Sequence, residues 1–333
     1  MDDLDGAVLA ARGLRYEYDG GACALDGLDL TVRAGLRHAL VGANGAGKTT
    51  LFLHLNGTLR PRSGTVFVDG RPGDYTRAGL STWRQVVGLV FQNPDDQLFA
   101  GSVAQDVSFG PFNLGLSTAE TRARVTAALE ALEISHLGER PTHMLSFGQK
   151  KRVSIAGAVA MRPRVLIIDE PLSGLDPRGA DQFLGVLRDL HTSGTTVVIA
   201  THDMALAYEW ADRVSIVKEG RIVASGAPDD VMTDAAMLED CGLRRPWVLD
   251  LRKDKPYQLE DRVEQLFHEK SVTGRAKVCV VAGGAAGPSG RGSRSRAWCS
   301  KTSPATTAKS VVWSEQGRRL SGALFEKHFK KIG

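Results

Sequence analysis

No run of apolar residues in this 333-residue chain approaches the ~18–20 that a helix needs to cross a bilayer. The longest candidates, TTVVIAT at 195–201 and KVCVVAGGAAG at 277–287, fall far short. The opening MDDLDGAVLA is acidic, so a secretory leader is not expected. Cysteine is sparse. Cys23, Cys241, Cys279 and Cys299 form no C-x-x-C pair, which argues against disulfide staples or structural zinc and fits a reducing cytosol. The eight histidines form no His-x-His pair or His-rich tract, so no transition-metal site is expected on this chain. Internal repeats are not visible.

What is present suits a globular protein: 42% hydrophobic and 24% charged residues, enough to bury a substantial core. The net charge of +4 hides an asymmetry. Residues 1–243 carry 23 Lys and Arg against 30 Asp and Glu, whereas the last 90 residues carry 19 against 8. Between Ala282 and Ser310 there is no acidic residue, and most positions are Ala, Gly, Ser, Thr or Pro. Such a segment buries too little apolar surface to offset its ordering entropy. The expectation is a folded body over about 1–245, a poorly defined extension over 246–281, and a basic, disordered tail over 282–333. Contact with an anionic membrane surface, or a changed reading frame at the gene's end, would each account for the tail.

Within the body, short apolar runs alternate with helical patterns. LRHALVG (36–42), TVFVDG (65–70), VVGLVFQ (86–92), RVLIID (164–169) and TTVVIAT (195–201) read as strands, and 213–226 as a hairpin. Residues 117–134 read as a helix opened by a Ser117/Glu120 capping box, and Ser146 as the cap of a helix over 149–161. Continuous apolar strands separated by helices imply an α/β fold with a mainly parallel sheet.

GANGAGKTT, from Gly42 to Thr50, fits G-x-x-x-x-G-K-[ST] between a strand and a helix. Gly42, Ala43, Asn44, Gly45, Ala46 and Gly47 would turn main-chain N–H groups toward a phosphate, aided by the positive end of the helix. Lys48 would reach the β- and γ-phosphates, and Thr49 would coordinate Mg²⁺, with Thr50 beside it. VLIIDEP (165–171) ends a strand in two carboxylates. Alone, that pair reads equally well as a solvated turn. Beside a phosphate loop, Asp169 would hold Mg²⁺ and Glu170 would act as general base toward water. The expected ligands are therefore a nucleoside triphosphate and Mg²⁺.

The order phosphate loop, LSFGQ (145–149), VLIIDEP, SGLD (173–176), THD (201–203) resembles the ATP-binding-cassette (ABC) family over about residues 8–240. That resemblance implies a phosphate-loop NTPase fold with a mainly parallel core sheet, an antiparallel β portion and a helical subdomain at about 94–160. It implies that Ser146, Gly148 and Gln149 meet the γ-phosphate of ATP held by a second cassette, with Phe147 where the family usually has glycine. By the same resemblance Gln92 contacts Mg²⁺ and the attacking water and senses the membrane partner. Asp176 crosses the dimer seam, His202 contacts the γ-phosphate, and Tyr18, or else Tyr16, stacks on adenine.

The stretches 90–116 and 145–177 are similar to those of energy-coupling-factor importers, most of all the cobalt-importing members. The partners so implied are a transmembrane coupling subunit, a substrate-binding membrane subunit and a second cassette, with the chain peripheral at the cytoplasmic face of the membrane. Nickel, biotin or another vitamin remains open as cargo. Asp95 and Asp96 would face basic residues of a partner helix. A soluble ABC ATPase acting on DNA or ribosomes is the rival suggested by the basic tail, but coiled-coil insertions, zinc sites and a second cassette are not visible. No specific nucleic acid partner is expected.

Overall fold

The computed structural model describes residues 6–249. The expected tail, and the expected extension from residue 250 on, lie outside the described residues. One antiparallel sheet joins Ala7–Glu17 (β1), Cys23–Arg33 (β2), Ser63–Val68 (β4) and Arg71–Pro72 (β5) in the order β2-β1-β4-β5. A second contains Arg37–Val41 (β3), Val87–Val90 (β6), Val165–Asp169 (β7), Thr196–Thr201 (β8), Arg213–Lys218 (β9) and Arg221–Gly226 (β10). Its order is β10-β9-β3-β8-β7-β6, and every pairing is parallel except the β9–β10 hairpin.

Every residue of β7 and β8 is buried, as expected of parallel strands covered on both faces. Their alternating side chains divide the interior in two. Leu166, Ile168, Val197 and Ile199 join one apolar cluster, and Val165, Ile167, Val198 and Ala200 join the other. The second cluster takes in β1, β2 and the helix Lys48–Leu55 (α1). The first takes in Val103–Asn113 (α3), Thr118–Ala131 (α4), Phe147–Ala160 (α5) and Pro177–Thr192 (α6). Arg77–Val86 (α2) leads into β6, so Val86 closes a helix rather than opening the expected strand. Met204–Trp210 (α7), Pro228–Val231 (α8) and Ala235–Asp240 (α9) complete the described elements. This is the α/β arrangement the sequence implies.

Two local expectations change. The helix expected over 149–161 begins earlier, at Phe147, because Ser146 caps it. The capping box expected at α4 is only half formed: Ser117 Oγ accepts from Glu120 N, but the Glu120 carboxylate turns to Arg124, one helical turn on. The ion pair at 2.7 Å draws it away from the helix end.

Parallel strands place their C-terminal ends on one edge, and the chain uses that edge. In register across the sheet, Val41 pairs with Thr201, Asp169 with Ala200 and Val90 with Ile168. The residues following β3, β8, β7 and β6 are therefore neighbours, and they are the phosphate loop, His202, Glu170 and Gln92.

Candidate functional site

The phosphate loop leaves β3 and enters α1 at Lys48. Gly47 has φ of 106°, which glycine adopts without strain. Close approach matters as much: a Cβ at Gly42 would lie 2.4 Å from the Val217 carbonyl oxygen, and one at Gly47 would lie 2.5 Å from that of Ala24. The loop is also tied to the turn of the β9–β10 hairpin. Gly220 N donates to Ala46 O at 2.9 Å, and Asp26 N on β2 donates to Gly220 O at 3.0 Å. Ala43, Asn44 and Gly45 form the exposed tip.

Lys48 Nζ donates to the carbonyls of Gly42 at 2.7 Å and Ala43 at 3.0 Å, which curls its side chain over the loop. Burial lowers its pKa, opposed by Glu170 and Asp169. Thr49 Oγ1 donates to Asp169 Oδ2 at 2.5 Å. Burial raises the Asp169 pKa, against the hydrogen bond from Thr49. A buried carboxylate touching a hydroxyl is a small set of hard oxygen donors, and Gln92 stands exposed two residues past the end of the neighbouring strand β6. That set fits Mg²⁺, which keeps places for water and phosphate.

Glu170 follows β7 with φ of 46°, an uncommon conformation for a residue with a Cβ. Its main-chain N donates to Ala200 O at 2.9 Å, and its Oε1 accepts from His202 Nδ1 at 2.9 Å. The structure thus brings Lys48, Thr49, Asp169, Glu170 and His202 together. Tyr18 OH and Thr50 Oγ1 lie 3.1 Å apart, and the Tyr18 ring is exposed. Tyr16 is half-buried, packed against the second apolar cluster and edge-on to His54 at 4.7 Å. Of the two rings, Tyr18 is the more exposed.

The LSFGQ segment belongs to a different part of the chain. Ser146 caps α5 in a full capping box: Gln149 N donates to Ser146 Oγ, and Ser146 N donates to Gln149 Oε1 at 3.0 Å. Gln149 is therefore used locally. Phe147 is partly exposed and its ring lies over Gly174, whose φ is 73°. Gly148 faces Leu175. Asp176 Oδ1 accepts from Gly179 N at 2.6 Å and caps α6.

Two findings lay outside the sequence reading. Asp95 already has a basic neighbour within the chain: Lys150 Nζ on α5 reaches its Oδ1 at 2.5 Å, while the carboxylate stays 58% exposed. Lys151, the middle residue of the basic triplet Lys150–Lys151–Arg152 that follows LSFGQ, is fully buried. Its Nζ donates to the carbonyls of Phe91, Gln92, Asp169 and Glu170 at 2.9–3.2 Å. Burial pushes its pKa down to about 8, opposed by Asp169 and Glu170. The helical spacing held the signal: Lys151, Ser154, Ile155 and Ala158 share one buried stripe.

A phosphate loop on a parallel sheet, with an acidic strand end and a histidine at the neighbouring strand end, defines a phosphate-loop nucleotide hydrolase. A family model described as ABC transporter matches residues 25–173. The chain is 57% identical over 244 residues to the Cobalt import ATP-binding protein CbiO of Rhodobacter capsulatus, covering 73% of this chain and 87% of that one. It is 45% identical to the Energy-coupling factor transporter ATP-binding protein EcfA of Methanosphaera stadtmanae, covering 76% and 91%. The solved structure of CbiO1 from Clostridium perfringens, part of the ABC transporter complex CbiONQ, matches with a TM-score of 0.63 at 43% identity, covering 75% and 100%. A dimeric post-hydrolysis ATP-binding cassette bound to ADP and Pi matches with a TM-score of 0.62 at 25% identity, covering 66% and 98%. The chain belongs to the ATP-binding subunits of ABC transporters, the ATPases that drive transport. A second family model, described as Oligopeptidase F, matches residues 227–277. Of that stretch, Val231, Leu238, Leu243 and Leu249 are buried in the core already described.

Proposed function

We propose that this chain energises an energy-coupling-factor importer by binding and hydrolysing ATP, with cobalt ions as the cargo. The observation that carries the hydrolytic part is the Glu170–His202 hydrogen bond beside the Thr49–Asp169 pair. In this reading Lys48 turns from the Gly42 and Ala43 carbonyls to the β- and γ-phosphates. Thr49, Asp169 and Gln92 hold Mg²⁺, which supplies charge neutralisation at the phosphate oxygens when bound. Glu170 takes the proton of the attacking water, His202 holds that carboxylate and meets the γ-phosphate, and Tyr18 stacks on the adenine.

The site is completed by a second cassette. Ser146 and Gly148 at the N-terminus of α5 would face the γ-phosphate bound by its phosphate loop, as helix N-terminal N–H groups suit an anion. Asp176 would lie at the same seam. Loss of the γ-phosphate would open the pair.

Among the described residues no helix is long and apolar enough to cross a membrane. The chain would sit peripherally at the cytoplasmic face of the cell membrane, on a transmembrane coupling subunit that works with a substrate-binding membrane subunit. A groove of about 520 Å³ between α2 and α3, lined by Phe99, Phe109, Arg77 and Arg84, suits a helix of the coupling subunit. Phe99 and Phe109 are exposed and pack edge to face at 4.7 Å. The relative named for cobalt import supports the cargo. The relatives named only for an energy-coupling factor support the same role with nickel, biotin or another vitamin.

The test is to purify the tagged chain from its membranes, identify what accompanies it, and measure ATP-dependent uptake of radioactive cobalt by the reconstituted complex. Recovery of two membrane proteins with cobalt uptake is expected. Uptake of nickel or a vitamin instead would replace the cargo, and recovery of ribosomes or DNA without membrane proteins would overturn the transport reading.

A further inference from the structure

We propose that Lys151 is a positioning residue for ATP hydrolysis, holding the main chain of Gln92 and of Glu170 in one register with α5. The proposal rests on the hydrolytic roles given above to Glu170 and Gln92. Its basis is the four-carbonyl cradle of a single buried ammonium. An ammonium has three N–H donors, so four acceptors at 2.9–3.2 Å share them and surround it. Two acceptors belong to the strand end that carries Gln92, and two belong to the strand end that carries Asp169 and Glu170. The donor itself stands on α5 in the turn after Ser146.

A buried charge needs such partners to be tolerated, and a residue that merely filled space there would be apolar. Lys151 grips main chain rather than side chain, so it leaves both carboxylates available. Glu170 has the left-handed backbone that only surrounding structure maintains, and its carbonyl is one of the four. The Gln92 segment is fastened to α5 at two further points. Lys150 pairs with Asp95, and the Gln97 side chain bridges Phe91 N and Ser154 O at 3.1 Å each. Residues 91–97 and α5 therefore move together, and Lys151 is the joint between that unit and Glu170. When a second cassette engages the N-terminus of α5, the water-activating groups of the same chain are the ones adjusted.

The experiment uses the full chain carrying Lys151→Met and, separately, Lys151→Gln, which keeps one amide donor group. Steady-state ATP turnover, binding of a fluorescent ATP analogue and thermal melting are measured for each. The expected result is a fall in kcat of about tenfold or more for Lys151→Met, a smaller fall for Lys151→Gln, and KM and nucleotide affinity within about twofold of wild type. In a cycle with Gln92→Ala, the combined loss is expected to be smaller than the product of the separate losses, because both act on one water. Unchanged kcat in either folded variant overturns the proposal. So do losses that multiply in the cycle, or kcat, affinity and melting temperature falling together. If only the glutamine variant folds, it decides alone. Glu170→Gln serves as the control: wild-type turnover in that variant would remove the hydrolytic reading itself, whereas its inactivity beside an unaffected Lys151→Gln would remove only this inference.

Discussion

His202 Nδ1 donates to Glu170 Oε1 at 2.9 Å, and the two side chains differ sharply in exposure, 69% for the histidine and 10% for the glutamate. The carboxylate is held from inside by its main chain, and the imidazole reaches it from the surface. Glu170→Gln keeps the shape and removes the carboxylate proposed to take the water's proton. ATP turnover should fall by about 10²–10⁴-fold, and ATP-loaded dimers should accumulate on size exclusion. His202→Ala should lower turnover with little effect on ATP affinity. Wild-type turnover in Glu170→Gln would show that another group activates the water.

Tyr18 and Tyr16 are distinguishable by kinetics. Tyr18→Ala removes an exposed ring beside Thr50 and should raise KM for ATP about tenfold, the scale of one lost base–aromatic stack, with kcat retained. Tyr16→Ala opens the packing against His54 and should lower the melting temperature. The opposite pattern would give Tyr16 the adenine.

His38 supplies a pH test of stability. It is buried on β3, its Nε2 lies 2.8 Å from Ser215 Oγ, and Arg213 is its register partner on β9. Burial first, and Arg213 second, depress its pKa from 6.5 to about 3. The folded state therefore binds fewer protons than the unfolded one below pH 6.5. The stability this gives is fully present above pH 6.5 and is lost as pH falls toward 3, at up to about 1.4 kcal/mol per pH unit. Urea midpoints at pH 7 and pH 5 should differ more for the wild-type chain than for His38→Gln.

Ser146→Ala should reduce stability by about 1 kcal/mol through loss of the α5 capping box, measured by urea titration of the monomer. Its effect on ATP turnover should exceed that of Ser117→Ala, which removes a cap of similar geometry on α4. Equal turnover in the two variants would leave Ser146 a cap and nothing more.

The parallel strands were legible because burial on both faces makes them unbroken apolar runs, as Val165–Asp169 shows. The phosphate loop and the Asp169–Glu170 strand end were legible because phosphate chemistry restricts which residues can stand there. β1 and β2 were harder to read: their pairing shifts register between Ala11 and Leu14 and again between Leu14 and Arg15, which breaks the alternation a strand shows in sequence. The burial of Lys151 could be read from helical spacing, but lysine in a basic triplet reads first as solvated charge, and its partners are main-chain carbonyls that no sequence pattern displays.

The β9–β10 turn ends in Gly220, whose N–H serves Ala46 and whose carbonyl serves Asp26. Hairpin tips are ordinarily the places where a chain accepts an inserted tag or an extra residue without complaint. Here one added residue would withdraw a strut from the phosphate loop and from β2 together. Lineages of this protein should therefore vary in length at other surface turns while the 218–221 turn keeps its length, and a library of random insertions selected for growth should leave that tip empty.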